Sequence, residues 1–240
     1  MKNLVSMRLS NDNTVDRETE TEFILKVMEN RTADLLILYA ESGVGKSTLS
    51  NRVLKSVPNF IPICVRTNPE NKNEFQSEGI YLSKIFNCIV SFFHLYKKEY
   101  PECSFDFYIS HNKNTSIRRD ALENMFSNIT SDEPINSSGM AIGKYVVSKL
   151  FKLYEYNAFN KLVLSSKDSM IIAHEYIKYI LQKEQICLNI DNLQNIDYYS
   201  LQLITEWISI SVRKSFFLFE YTIDSNLGTH SLVEFAKNFQ

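Results

Sequence analysis

The stretch Ala40-Glu41-Ser42-Gly43-Val44-Gly45-Lys46-Ser47 constrains this 240-residue chain more than any other. Before it, Leu35-Leu36-Ile37-Leu38-Tyr39 is continuously apolar and reads as a buried strand. After it, Ser47-Thr48-Leu49-Ser50-Asn51-Arg52-Val53-Leu54 reads as the opening turns of a helix. Strand, glycine-bearing loop and helix in that order make a phosphate-binding loop of the Walker A type. Gly43 and Gly45 let successive backbone amides converge, and the helix start adds partial positive charge.

The expected nucleotide-binding residues are Glu41, Ser42, Gly43, Val44, Gly45, Lys46, Ser47 and Thr48. Lys46 is expected to reach the β- and γ-phosphate oxygens. Ser47 is expected to supply one hydroxyl to Mg²⁺, an ion that takes octahedral oxygen ligands and few protein side chains. Ala40 stands where a first glycine is commoner.

The chain is long enough to bury a real core. Hydrophobic residues at 44% and charged residues at 22% exclude a disordered class. A formal net charge of -2 gives no general pull toward nucleic acid or membrane. Cys64, Cys88, Cys103 and Cys187 are scattered without metal or redox spacing, so reduced thiols and a cytoplasmic location are expected. Cys64 and Cys187 lie in apolar runs and are expected to be buried. The four histidines show no ligand spacing, and no run approaches a membrane span or a leader core.

Residues 1–32 read as an N-terminal segment with an amphipathic helix over 16–30, its apolar positions Phe23, Ile24, Val27 and Met28. Residues 33–240 read as the core. Phe60-Ile61-Pro62-Ile63-Cys64-Val65-Arg66 is a second strand, and Pro62 assigns it to a sheet edge because proline cannot donate to a ladder. Residues 68–183 read as a mainly helical insertion. One helix is marked by Leu82, Ile85, Phe86, Ile89, Phe92, Phe93 and Tyr96, and a second by Met140, Val146, Val147, Leu150, Phe151 and Tyr154. A third carries Ile171, Ile172, Tyr176, Ile177 and Ile180. Such aromatic stripes are read as core packing. Between the helices, Ser104-Phe105-Asp106-Phe107-Tyr108-Ile109 alternates and is expected to form a short strand.

Ile186-Cys187-Leu188-Asn189-Ile190-Asp191 is an apolar strand ending in an acid, the pattern of a Walker B element. Asp191 is then expected beside Ser47, holding Mg²⁺. A helix follows with Leu203, Ile204, Trp207, Ile208 and Val212, and then a last strand, Ser215-Phe216-Phe217-Leu218-Phe219-Glu220-Tyr221-Thr222. Near-continuous apolarity implies that both its faces are covered. Glu220 and Thr222 fall on one face at its carboxyl end. Were this strand to lie between the other two motif strands, one of them would face the γ-phosphate.

Asp191-Asn192-Leu193-Gln194-Asn195-Ile196-Asp197-Tyr198-Tyr199-Ser200-Leu201 resembles the Walker B region of the AAA-like and STAND-type ATPases, and Arg17-Glu18 resembles the Arg-Glu that often precedes their loop. The resemblance implies a three-layer α/β P-loop NTPase fold, its sheet mainly parallel, in which the Asp191 and Glu220 strands flank the loop strand and the Pro62 strand lies at an edge. It also implies ATP rather than GTP, and a bacterial nucleotide-driven switch, some of whose relatives serve antiviral defence. Asp197 is read as a helix cap. Asn192 departs from the glutamate usual after the Walker B acid, and an amide cannot accept a proton from water. Gln194 and Glu220 are alternative water-positioning residues. The chain lacks an obvious fifth core strand, arginine sensor or lid after the Glu220 strand, so it is expected to be part of a longer protein or a reduced version. Arg118 and Arg119 are read as exposed decoration rather than arginine fingers.

The expected activity is therefore slow Mg²⁺-dependent ATP hydrolysis to ADP and phosphate, with Lys46, Asp191, Asn192 and Glu220 as catalytic residues and Ser47 and Asp191 as metal ligands. A protein partner or self-assembly is expected, with no direct sign of nucleic acid and no membrane association. A non-hydrolysing, nucleotide-stabilised interaction module and a P-loop kinase are the alternatives.

Overall fold

The computed structural model describes residues 4–9, 17–67, 79–111, 167–210 and 214–223. Among them are five strands and six helices: β1 (Leu4–Arg8), α1 (Glu18–Glu29), β2 (Leu35–Ala40), α2 (Lys46–Ser56), β3 (Ile61–Arg66), α3 (Ile80–Leu95), α4 (Phe105–His111), α5 (Lys167–Lys183), β4 (Ile186–Asp191), α6 (Tyr198–Ile210) and β5 (Phe216–Thr222). The chain divides into two compact units, residues 1–78 with 181–240, and residues 79–180.

The first unit holds one sheet, all of its pairings parallel, in the order β1-β2-β5-β4-β3. Strand β3 lies at an edge, as Pro62 requires. Its residues alternate strictly, with Ile61, Ile63 and Val65 buried and Pro62, Cys64 and Arg66 exposed. Cys64 is therefore a surface thiol, contrary to the burial expected from its apolar neighbours; Cys187 is fully buried.

One topological expectation is corrected. The Asp191 strand does not flank the loop strand, because β5 lies between β2 and β4. The sheet also holds a strand not read from the sequence, in the N-terminal segment: β1 pairs along β2 from Leu4↔Leu35 to Arg8↔Tyr39. Its one-residue extension is fixed by the Leu9 amide, which donates to the Tyr39 carbonyl at 3.0 Å.

Near-continuous apolarity in β2, β4 and β5 follows from burial on both faces. One face carries Leu36, Leu38, Ala40, Cys187, Phe216 and Leu218. It forms a single apolar cluster with Ile24, Val27 and Met28 of α1 and Leu49, Val53 and Leu54 of α2. On the other face Ile37, Leu188, Ile190, Phe217 and Phe219 are fully enclosed. Each such side chain contributes about 1.5–3 kcal/mol. Helix α1 opens with Glu18 and Glu20, whose charges suit a helix N-terminus. Phe23, expected on its buried stripe, is instead 41% exposed.

In the second unit Leu82, Ile85, Phe86, Ile89 and Phe93 of α3 are buried, as read from their spacing, whereas Phe92 is only half-buried, and Tyr96, past the helix end, and Ile171 of α5 are exposed. Phe86, Phe105, Tyr108 and Tyr176 form an edge-to-face and stacked group with centroids 5.0–6.4 Å apart. The buried Tyr176 hydroxyl donates to the Cys103 carbonyl at 2.6 Å. Here the expected short strand is a helix. Pro101 opens a 3-10 turn, and the Ser104 hydroxyl sits 3.4 Å from the Phe107 amide as a cap. Phe105 and Tyr108, three apart, then share the buried face. The helix expected over 140–154 and Arg118 and Arg119 lie outside the described residues.

Candidate functional site

Because all five strands run the same way, the glycine loop after β2 and the carboxyl ends of β4 and β5 lie at one end of the sheet. Ligands of open α/β sheets bind at that end. Gly43 and Gly45 have φ of 81° and 89°, a region other residues enter only with strain. Space does not demand glycine at Gly43, since an added Cβ would meet nothing within 4 Å. The requirement is conformational. Gly45 is the N-terminal cap of α2, and no side chain caps that helix start. A loop of this shape, opening a helix, is chemically an anion cradle.

Lys46 is 6% exposed. Its ammonium donates to the Ala40 carbonyl at 3.1 Å and the Glu41 carbonyl at 2.8 Å, so it folds back along its own loop. Burial lowers its pKa, opposed by the negative charges of Glu220 and, more weakly, Asp191.

Glu220 is completely buried. Its Oε2 accepts from the Ser47 hydroxyl at 2.7 Å, and its Oε1 accepts from Asn189 Nδ2 at 3.2 Å. Burial raises its pKa; the Ser47 hydrogen bond works against that rise, and the charge of Asp191 adds to it. A side-chain hydrogen bond from Ser50 also acts against that rise, as the Ser47 bond does. Ser47 and Glu220 are 173 residues apart, and only the topology brings them together.

The Ser47 hydroxyl, for which Asp191 was the expected neighbour, donates to Glu220. Asp191 forms an ion pair instead with Arg66, Oδ2 to Nε 3.3 Å, whose side chain is 72% exposed. Asp191 nonetheless acts electrostatically on both Lys46 and Glu220, so all three charged groups share one neighbourhood. The donor set is oxygen only. A hydroxyl that gives its proton to a carboxylate keeps its lone pairs for a hard cation.

Asn192 has φ 59° and ψ 45°, the left-handed region that asparagine tolerates better than most residues. Its side-chain oxygen accepts from Thr222 Oγ1 at 3.3 Å. Its carbonyl accepts from the Thr67 hydroxyl, which also donates to the Asp191 carbonyl at 2.8 Å. The backbone thus explains why an asparagine stands here. Gln194 accepts from the Thr222 amide at 3.0 Å and so ties down the end of β5. Asp197 caps α6, its carboxylate accepting from the Ser200 amide at 2.8 Å and hydroxyl at 2.7 Å.

Arg17 was legible only as half of an Arg-Glu pair. Its guanidinium reaches the glycine loop, donating to the Val44 carbonyl at 2.8 Å. Among the described residues no helix is long and apolar enough to cross a membrane. The chain matches no protein-family model, no curated protein and no solved structure.

Proposed function

We propose that this chain is an ATP-binding, Mg²⁺-dependent P-loop module that hydrolyses ATP slowly to ADP and phosphate. The observation that carries the reading is the junction of Lys46, Ser47 and Glu220 beneath a glycine loop with two positive-φ glycines. In this reading the loop amides from Glu41 to Thr48 hold the phosphates, and Lys46 exchanges its two carbonyl partners for β- and γ-phosphate oxygens. Ser47 and Asp191 would hold Mg²⁺, which would supply charge neutralisation for the transferred phosphoryl group. Glu220 takes the Ser47 proton in a hydrogen bond and leaves the hydroxyl lone pairs for the metal. Phosphoryl transfer depends chiefly on positioning and charge, so turnover continues without a strong base. Asn192, unable to accept a proton, keeps it slow.

Membership of the AAA-like and STAND group belongs to the same proposal. So does the role of a switch in a larger, antiviral assembly with protein partners. Its support is the Arg17-Glu18 pair at the start of α1 and the acid–cap–helix sequence from Asp191 through Asp197. A second reading, nucleotide binding without hydrolysis, is favoured by the engagement of the Asn192 side chain with Thr222. ATP binding and phosphate release, measured with Mg²⁺ on the purified chain and on Lys46→Ala, separate the two. Release that depends on Lys46 is the expected result. Binding without release selects the second reading, and absence of binding overturns both.

A further inference from the structure

Arg17 stands immediately before α1 and is pinned there. Its own carbonyl accepts from the Thr21 amide at 2.9 Å and from the Thr21 hydroxyl at 2.7 Å. Its side chain is 13% exposed, and Glu20 holds Nη1 at 2.9 Å. That pairing orients the guanidinium so that Nη2 donates to the Val44 carbonyl at 2.8 Å, 27 residues away at the head of the glycine loop. The Arg17 Nε lies 3.9 Å from where a Cβ on Gly45 would stand, so the guanidinium lies alongside the Val44–Gly45 peptide.

The Val44 carbonyl and the Gly45 N–H belong to one planar trans peptide and point in opposite directions. A cation bonded to the carbonyl therefore fixes the direction of the amide on the far side. It also draws electron density toward the oxygen and leaves the N–H a stronger donor. Gly45, with no side chain and φ of 89°, cannot hold that orientation by itself.

We propose that Arg17 is a positioning residue for the loop: through the Val44 carbonyl it aims the Gly45 amide at the phosphate groups of a bound nucleoside di- or triphosphate. The inference rests on the nucleotide reading given above. Arg17 itself touches no phosphate in this role. Its Glu20 partner makes the fork rigid, which a lysine, with a single charged point on a flexible stem, reproduces only in part.

The test is calorimetric titration of the full chain with ADP, and separately with ATP and Mg²⁺, using the unaltered protein, Arg17→Ala, Arg17→Lys and Lys46→Ala. Arg17→Ala is expected to weaken ADP binding about tenfold, and Arg17→Lys to recover part of that loss. The melting temperatures of both, measured without nucleotide, are expected to stay at the parental value, which a merely structural role for Arg17 would not allow. ADP affinity unchanged in Arg17→Ala, while Lys46→Ala abolishes binding, overturns the positioning role and leaves the nucleotide reading intact. Should Arg17→Ala not fold, parental affinity in Arg17→Lys overturns it equally. No ADP binding by the unaltered protein removes both the role and the reading.

Discussion

The carboxyl ends of β4 and β5 each present an acidic side chain, and the two acids live under different physics. Glu220 is sealed in, hydrogen-bonded on both oxygens, and raised in pKa chiefly by burial. Asp191, its side chain 15% exposed, faces an arginine that is mostly in solvent. Sequence position alone makes Asp191 the more conspicuous acid, because it closes an apolar strand. Packing makes Glu220 the acid that grips the loop. A motif locates the end of a strand, whereas the neighbour order of the strands decides which side chain reaches across.

The contrast can be broken most severely at Glu220. Glu220→Ala strands the half-buried Ser47 hydroxyl and the buried Asn189 amide, and is expected to cost about 2–3 kcal/mol in urea unfolding, at about 1–3 kcal/mol for a buried group left unpaired and less for a half-buried one. Glu220→Gln preserves the shape and an acceptor, and is expected to lose less than half as much. The pH dependence of the metal-free protein sharpens the point. A carboxyl whose pKa is higher folded than unfolded stabilises the fold fully at pH values below its unfolded pKa. That contribution is lost as pH rises from the unfolded value toward the raised one. Glu220→Gln should remove this downward slope on the weakly acidic side, and an unchanged slope would assign it to another group.

At the β4 end the effects are smaller. Asn192→Glu is expected to cost about 1–2 kcal/mol, the penalty for a left-handed residue without asparagine's local compensation. Asn192→Gly should be close to neutral in the same unfolding assay. A stable Asn192→Glu with faster phosphate release would mean that the side chain, not the backbone, sets the rate. Smallest of all, Arg66→Ala should change stability by less than about 0.5 kcal/mol, as for exposed ion pairs generally. A larger loss would show that Asp191 is held more tightly than its exposure implies.

Much of this arrangement is written locally. The loop, the strand ending at Asp191, the Pro62 edge and the Asp197 cap each depend on residues within a few positions of one another, and short-range periodicity and capping chemistry reveal them. What escaped is non-local or ambiguous. β1 is five residues with only partial burial, so its pattern carries little signal until β2 is there to pair with it. Residues 104–109 alternate like a strand because Phe105, Phe107 and Ile109 fall on odd positions. Yet it is the spacing of Phe105 and Tyr108 that packs, once Ser104 has capped the turn. The partnership of Ser47 with Glu220, and the reach of Arg17 to Val44, have no trace in sequence spacing. Each is created by chain segments that meet only in the folded sheet.

The strand order also has a kinetic side. β1 with β2 and β3 with β4 form two separate parallel ribbons, and β5, last of the five along the chain, fits between them. A chain emerging from the ribosome in sequence order must carry the inner edges of both ribbons unpaired until that strand arrives. The closing contact has a high loop-entropy cost, which places it late in folding and keeps two apolar edges open to other chains meanwhile. The enclosure of Glu220 and its bond to Ser47 come into being in that same closing step, so recovery of Ser47-dependent chemistry should report the end of folding and not its beginning.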